Sequence, residues 1–320
     1  MSNDRIVVTG QPPGRAVQII EESGVIWVWP HDRPIDRSTL LSEVATATGL
    51  YSVLTDDIDQ DLLDAAPQLK VISQMAVGVD NIDLEACRRR GITVGHTPDV
   101  LTETTADLAF GLMIAAARRF GEGVHDVHTG RWGDWDPDYL VGHDVHGSTL
   151  GIIGFGRIGQ AIARRATGFS MPVLYTQRHR NIELDSDGPS FVTLHDLLGE
   201  SDHVVVATSL SDETRHLIGW KELQRMKSTA TLINIGRGPL VDPDALDGAL
   251  RTGEIFAAAL DVTEPEPIPA NHPLVSCPNC FITPHLGSAT TRTRIAMAEL
   301  AARNLVAGLR GDPMEAPVIA

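Results

Sequence analysis

Short apolar, β-branched runs alternate with stretches of helical period from the beginning of the chain. IVVTG precedes a helical stretch over Gly14 to Glu22, VIWVW precedes Ser38 to Ala47, LYSVL precedes Gln60 to Ala65, and KVISQM precedes Asp83 to Arg90. A further short strand is expected at Ile92 to Val94. Strand-helix alternation of this kind predicts a parallel sheet with helices on its faces. From Thr102 to about Phe120 the spacing predicts one long helix, apolar on nearly every side and therefore buried in a domain or subunit interface. The period lapses over 121–147, a stretch rich in Gly, His, Asp and Trp that reads as an excursion and not as a core element. At Ser148 the alternation resumes. TLGIIGFG leads into a helix to about Ala166, followed by MPVLYT, a short helix at Leu194 to Leu198, HVVVAT, a helix at Lys221 to Met226, TLINIG, a helix at Pro243 to Arg251, and FAAALDV. After the Pro-rich EPEPIPANHP come FITPH and a final helix from about Thr290 to Leu309. The expectation is two wound α/β units without repeats.

Composition narrows the partners. The 320 residues suit two domains, and 42% apolar with 21% charged residues provides a sizeable core and excludes a disordered tail or a fibre. Lys plus Arg number 26 against 42 Asp plus Glu, a formal charge of −16, so a surface that follows nucleic-acid phosphates is not expected. MSNDRIVVTG has neither the basic nor the apolar region of an export signal. The longest apolar stretch, Leu108 to Ala117, is far short of the roughly 20 residues of a membrane span. A cytoplasmic protein with no membrane partner is expected. Cys87, Cys277 and Cys280 are too few for a disulfide scaffold. A single Cys277-x-x-Cys280 without a second ligand pair, and His125, His128, His143 and His146 without supporting carboxylates, lead to the expectation that no metal is bound.

The chemistry lies at strand ends. Gly154-Phe155-Gly156-Arg157-Ile158-Gly159 follows a strand and opens a helix, as a dinucleotide fingerprint must. Its glycines serve the turn, the approach of the pyrophosphate and helix-strand packing. The next strand ends in Thr176-Gln177-Arg178, where an NAD site would place a carboxylate on the ribose hydroxyls. None is present to repel a 2′-phosphate, and Arg178 has the fork to pair with one, which favours NADP and leaves NAD possible; the bland alternative is a solvated basic loop. Arg237, in Asn234-Ile235-Gly236-Arg237-Gly238, stands where open sheets bind ligands and is suited to a bidentate grip on a carboxylate, or is a plain surface arginine. A glutamate beside His285 would favour its imidazolium and hold one ring nitrogen, leaving the other to exchange a proton. Spacing alone does not show that Glu266 and His285 meet.

These residues, with VISQMAVGVDNIDL, RGITVGHTPDVLTETTADLA, GIIGFGRIGQAIARR, INIGRGPLVD, LDVTEPEP, NHPL and PHLGSATTRTR, resemble the D-2-hydroxyacid dehydrogenase family over nearly the whole chain after about residue 50, and within it the glyoxylate reductase/hydroxypyruvate reductase group. The resemblance implies an α/β protein of two doubly wound parallel-sheet domains around a cleft. Residues 1–102 with 287–320 would form a flavodoxin-like substrate-binding domain, and 103–286 a Rossmann NAD(P)-binding domain with a dimer arm at about 121–147. Hinges would fall near Pro98 to Thr102 and Pro284 to Ser288. Arg237 matches the substrate-orienting arginine, His285 the acid/base, and Glu266 the carboxylate paired with it, Glu264 being the nearby decoy. The backbone amides at Val77 and Gly78 match the carboxylate-receiving loop, and Ser288 lies with the substrate residues. Ile235, Asp261 and Gly287 match the nicotinamide end; Gly154 to Gly159, Ser209 and Thr176 to Arg178 match the rest of the cofactor site. Family members that use NAD usually carry Asp at the position of Thr176.

The implied activity is reduction of a small 2-oxo acid, glyoxylate or hydroxypyruvate, by a homodimer in which Trp132 or Trp135 reaches the partner's cleft or simply packs in the interface. Phosphite dehydrogenase and phosphoglycerate dehydrogenase remain alternatives within the family. A dinucleotide-sensing transcriptional co-repressor is the alternative outside enzymes.

Overall fold

The computed structural model describes residues 4–180 and 188–318. The chain forms two compact units, Met1–Leu101 with Ala289–Ala320, and Thr102–Ser288.

In the first unit the strands are β1 (Arg5–Val8), β2 (Val25–Val28), β3 (Gly49–Ser52), β4 (Val71–Gln74) and β5 (Thr93–Gly95), all parallel, in the order β2-β1-β3-β4-β5. The helices are α1 (Ala16–Glu21), α2 (Arg37–Val44), α3 (Gln60–Ala65) and α4 (Leu84–Arg89). Asp36, Asp59 and Asp83 each stand one residue before a helix and accept its third backbone N–H. Short helices depend on such caps, because each leaves four donors otherwise unmet. The final helix of the chain, Thr291–Arg310, packs against α1, β3 and β4. Tyr51 Oη donates to the carbonyl of Ala298 (3.2 Å) and Ser73 Oγ to that of Ala301 (2.7 Å), so buried strand hydroxyls are satisfied on the helix backbone.

The second unit begins with α5 (Thr102–Ala117) and α6 (Phe120–Thr129). It continues β6 (Leu150–Ile153), α7 (Arg157–Gly168), β7 (Val173–Thr176), β8 (Ser190–Phe191), α8 (Leu194–Glu200), β9 (His203–Val206), α9 (Trp220–Arg225), β10 (Thr231–Asn234), α10 (Pro243–Thr252), β11 (Ala257–Leu260) and β12 (Cys280–Ile282). The seven parallel strands run β12-β11-β10-β9-β6-β7-β8, so the order reverses between β6 and β9, where open sheets of this kind bind ligands. α5 packs on α7, β10 and β11, with Ala106, Ala109, Leu112 and Met113 fully buried in the core of this unit. Its exposed Glu103 and Asp107 pair with Arg164 and Arg165 of α7.

Two sequence expectations change here. The long helix ends at Ala117 instead of about Phe120, because Arg119 adopts a left-handed φ of 56° that turns the chain. The excursion then opens with a ten-residue helix, α6, closed by Gly130 in the left-handed region. Gly121, Gly123 and the histidines mask its period, yet Phe120, Val124 and Val127 share one face at i, i+4 and i+7.

Candidate active site

At the end of β6 the chain enters α7 through the glycine turn. Gly154 has φ of 94°, and a Cβ there would lie 2.7 Å from the backbone of Thr208. At Gly159 a Cβ would meet the Gly154 carbonyl at 2.3 Å, so two of the three glycines are fixed by close packing. Gly156 is different: a Cβ there meets nothing, the residue is exposed, and it caps α7 without a side-chain hydrogen bond. The open space beside this side-chain-free residue, at the N-terminus of a twelve-residue helix, fits a dinucleotide pyrophosphate. Phe155 stacks on Tyr175 at 4.0 Å, and Gly154 N donates to Thr176 O at 2.9 Å, which places the end of β7 beside the turn. Beyond Thr176, Gln177 Nε2 donates to His179 O, and Arg178 forms a 2.5 Å ion pair with Glu213. Arg157 and Ile158 occupy the first two helical positions. Ser209 is exposed after β9, and its carbonyl accepts from Thr214 Oγ1.

The ends of β10, β11 and β12 carry the other predicted residues. Ile235 follows β10, is 8% exposed, and donates its N–H to Val206 O. Asn234 folds the next turn back on itself: its Oδ1 accepts from Gly236 N and its Nδ2 donates to Arg237 O (2.8 Å). Arg237 Nη1 donates to Gly236 O at 2.9 Å. Gly238 is required, since a Cβ would sit 1.9 Å from the carbonyl of Thr263 in the loop after β11.

That loop separates its two glutamates. Glu264 pairs with Arg215 and His216, whereas Glu266 Oε1 receives His285 Nδ1 at 2.6 Å. Glu266 also accepts from Thr263 N at 3.3 Å. Burial works to raise its pKa, but the hydrogen bond and charge of His285, the Thr263 amide and the charge of Arg237 outweigh it and hold the carboxyl below the ordinary glutamate range. The pair that spacing left open is thus formed, with an ionised carboxylate on one ring nitrogen.

Asp261 does more than line a site. It is 2% exposed, and its Oδ1 accepts from Leu286 N and Thr283 Oγ1 while Oδ2 accepts from Gly287 N, each at 2.7 Å. His285 N donates to the Asp261 carbonyl, and His285 itself holds a left-handed φ of 54°. One buried carboxylate therefore winds residues 283–287 around itself and aims the histidine. The sequence reading missed this, and it offered no local signal: the partners lie 22 to 26 residues away. Ser288 is buried at 8%.

In the first unit Val77 and Gly78 follow β4 in a half-exposed loop. Among the described residues neither backbone N–H has an acceptor. Gln74 and Asn81 exchange side-chain hydrogen bonds of 2.6 and 2.9 Å across the base of this loop, a brace the sequence reading did not identify.

Beyond α6, Asp126 gathers the arm: it accepts from Arg131 Nε (2.8 Å) and Tyr139 Oη (2.7 Å). Phe120, Val124, Val127, Trp132 and Trp135 are all exposed, Trp135 at 86%. No group of three or more metal ligands occurs among the described residues, and no helix there is long and apolar enough to cross a membrane.

A model of the D-isomer specific 2-hydroxyacid dehydrogenase NAD binding domain matches residues 110–287. Glyoxylate reductase of Thermococcus kodakarensis is 46% identical over 313 residues, 96% of this chain and 94% of that protein. Human glyoxylate reductase/hydroxypyruvate reductase is 50% identical over 289 residues, covering 89% and 88% of the two chains. An NADPH-dependent glyoxylate/hydroxypyruvate reductase of Sinorhizobium meliloti, solved with NADP and malonate, superposes with a TM-score of 0.87 at 31% identity over 99% of this chain and 97% of that one.

Proposed function

The chain belongs to the D-isomer specific 2-hydroxyacid dehydrogenases, and from that premise we propose that it is an NADP-preferring reductase of glyoxylate and hydroxypyruvate, giving glycolate and D-glycerate. The observation that carries the reading is the His285–Glu266 pair at 2.6 Å, which engages one ring nitrogen and leaves Nε2 to serve the substrate. When bound, the reduced nicotinamide supplies a hydride to C2 of the 2-oxo acid. His285 Nε2 gives the carbonyl oxygen its proton, so C2 and oxygen together gain two electrons and two hydrogens. Glu266 stabilises the imidazolium before the transfer. Arg237 holds the substrate carboxylate and the charge developing on the carbonyl oxygen. The amides of Val77 and Gly78 receive the carboxylate as well. Trimming the substrate to glyoxylate or hydroxypyruvate follows from the activities named for the similar proteins.

The NADP preference is supported by Thr176 and Arg178. An ion pair as exposed as Arg178–Glu213 contributes on the order of 0–1 kcal/mol, little against a charge-assisted bidentate bond to a phosphate. Purified protein is therefore expected to oxidise NADPH faster than NADH with either oxo acid at low cofactor concentration. Arg178→Ala is expected to lower kcat/KM for NADPH about 10-fold or more while leaving NADH use nearly unchanged. Faster turnover with NADH would overturn the preference; cofactor binding without turnover on any 2-oxo acid would point instead to a sensor or an inorganic substrate.

The exposed apolar face of α6 and the tryptophans that follow support a homodimer formed through this arm. Trp135 is assigned to limiting substrate size in the partner subunit. Trp135→Ala is accordingly expected to shift preference from glyoxylate toward bulkier oxo acids; an unchanged ranking across a substrate panel would remove that assignment.

A further inference from the structure

A trans peptide is planar, so its N–H points opposite to its C=O, and whatever holds the carbonyl also aims the next amide. In the loop after β4 consecutive carbonyls are tied back into the first unit. Ala76 O accepts from Thr97 N (2.8 Å), Val77 O pairs with His96 Nδ1 (2.9 Å), Gly78 O accepts from Gln74 Nε2 (2.7 Å), and Val79 O accepts from Ile82 N (3.0 Å). The amides facing the other way include those of Val77 and Gly78, which have no acceptor among the described residues.

Of these four anchors the one at Val77 O bears on the most pliable peptide. Its plane ends at Gly78, where the absence of a Cβ lowers the cost of a flip. A carbonyl only accepts, so Nδ1 of His96 carries the proton, which fixes the tautomer. The histidine is itself held firmly: its N–H donates to Ala316 O (3.1 Å), its carbonyl accepts from Asn304 Nδ2 (2.9 Å), and Asn304, fully buried in the final helix, closes the brace by accepting from Ala316 N (3.0 Å).

We propose that His96 is a positioning residue for the substrate carboxylate, pinning the Val77–Gly78 peptide so that the Gly78 N–H is presented to the anion. This inference rests on the reading of Val77 and Gly78 given above. It assigns to the first unit a side chain that acts on substrate binding without touching substrate, and that takes no part in the proton transfer.

Two variants test it. His96→Leu removes the donor; His96→Asn restores one, because the Asn amide nitrogen reaches nearly the same position as Nδ1. His96→Leu is expected to raise KM for glyoxylate, and the dissociation constant of the unreactive dicarboxylate oxalate, about ten-fold, with kcat and NADPH affinity changed less than about two-fold. His96→Asn is expected to recover most of both. An unchanged KM and oxalate affinity in His96→Leu would overturn the proposal, as would an Asn variant indistinguishable from the Leu variant, or a kcat that falls together with cofactor affinity. Hydrogen exchange at the Gly78 amide, read by NMR without substrate, separates the two levels of the argument. If the native protein neither reduces nor binds 2-oxo acids, the functional reading fails, and an exchange rate equal in native and His96→Leu protein would then reject the clamp itself.

Discussion

Replacing His285 by alanine is expected to lower kcat for glyoxylate reduction by about 10²–10⁴-fold, with NADPH binding largely retained. The size follows from what the substitution removes: the proton donor to the carbonyl oxygen, not a contact that shapes the fold, since His285 is part-exposed and the turn around it is held by the buried carboxylate of Asp261. Glu266→Gln keeps the shape of the partner and removes its charge, so its loss should be smaller. The two changes should combine to no more than the His285→Ala loss, because the carboxylate acts through the imidazole. A pH profile adds an independent reading. His285 and the other contacts hold the Glu266 carboxyl below the ordinary glutamate range, so the carboxylate charge persists through neutral and mildly acid pH. It is lost only as pH falls through that depressed value. The native acid limb attributable to Glu266 should therefore lie below the ordinary glutamate range, and it should be absent in Glu266→Gln. Steady-state kinetics decide the matter; His285→Ala within about ten-fold of native kcat would remove the histidine from the chemistry.

How much of this was legible in the sequence differs by element. The doubly wound architecture was readable because most strands of both sheets are short, mainly apolar runs followed by a helical period, an alternation that implies parallel pairing; the two-residue β8, Ser190–Phe191, is too short to show such a run and was not identified. The glycine turn was readable because Gly154 and Gly159 answer to strict local sterics. α6 was hidden, because an unburied helix need not carry a wide apolar stripe, and two glycines and three polar residues interrupt the three apolar ones that mark its face. The choice between Glu264 and Glu266 required the family resemblance; two carboxylates two residues apart are equivalent until Arg215 and His216 are seen to occupy the first. Asp261 and His96 mark the limit of sequence reading. Each acts by receiving or giving hydrogen bonds that aim a backbone, and the partners of such bonds lie tens of residues away, where no spacing rule reaches.

Arg237→Lys is the sharper test of the remaining assignment, and it is expected to lower kcat/KM for glyoxylate by about 10²–10³-fold despite keeping the charge. The turn that carries Arg237 is built for position. Asn234 closes it through Gly236 N and Arg237 O, and Gly238 packs so closely on the Thr263 carbonyl that no other residue fits. A scaffold this constrained presents the guanidinium from a fixed base, with backbone angles in the unstrained extended region. A planar fork engages carboxylate and carbonyl oxygens together, whereas an ammonium is a point charge on a flexible stem and holds one at a time. Because the arginine meets the carboxylate in the bound substrate and the carbonyl oxygen as charge develops there, its loss should appear in both KM and kcat. The loss at His285 is confined to kcat, so the two residues are separable by the same assay. Arg237→Ala should be at least as slow as Arg237→Lys, and added guanidinium ion should restore part of its rate by occupying the vacated volume. Near-native kinetics in Arg237→Lys would show that charge alone suffices and that the bidentate geometry assigned to this residue is not what the reaction uses.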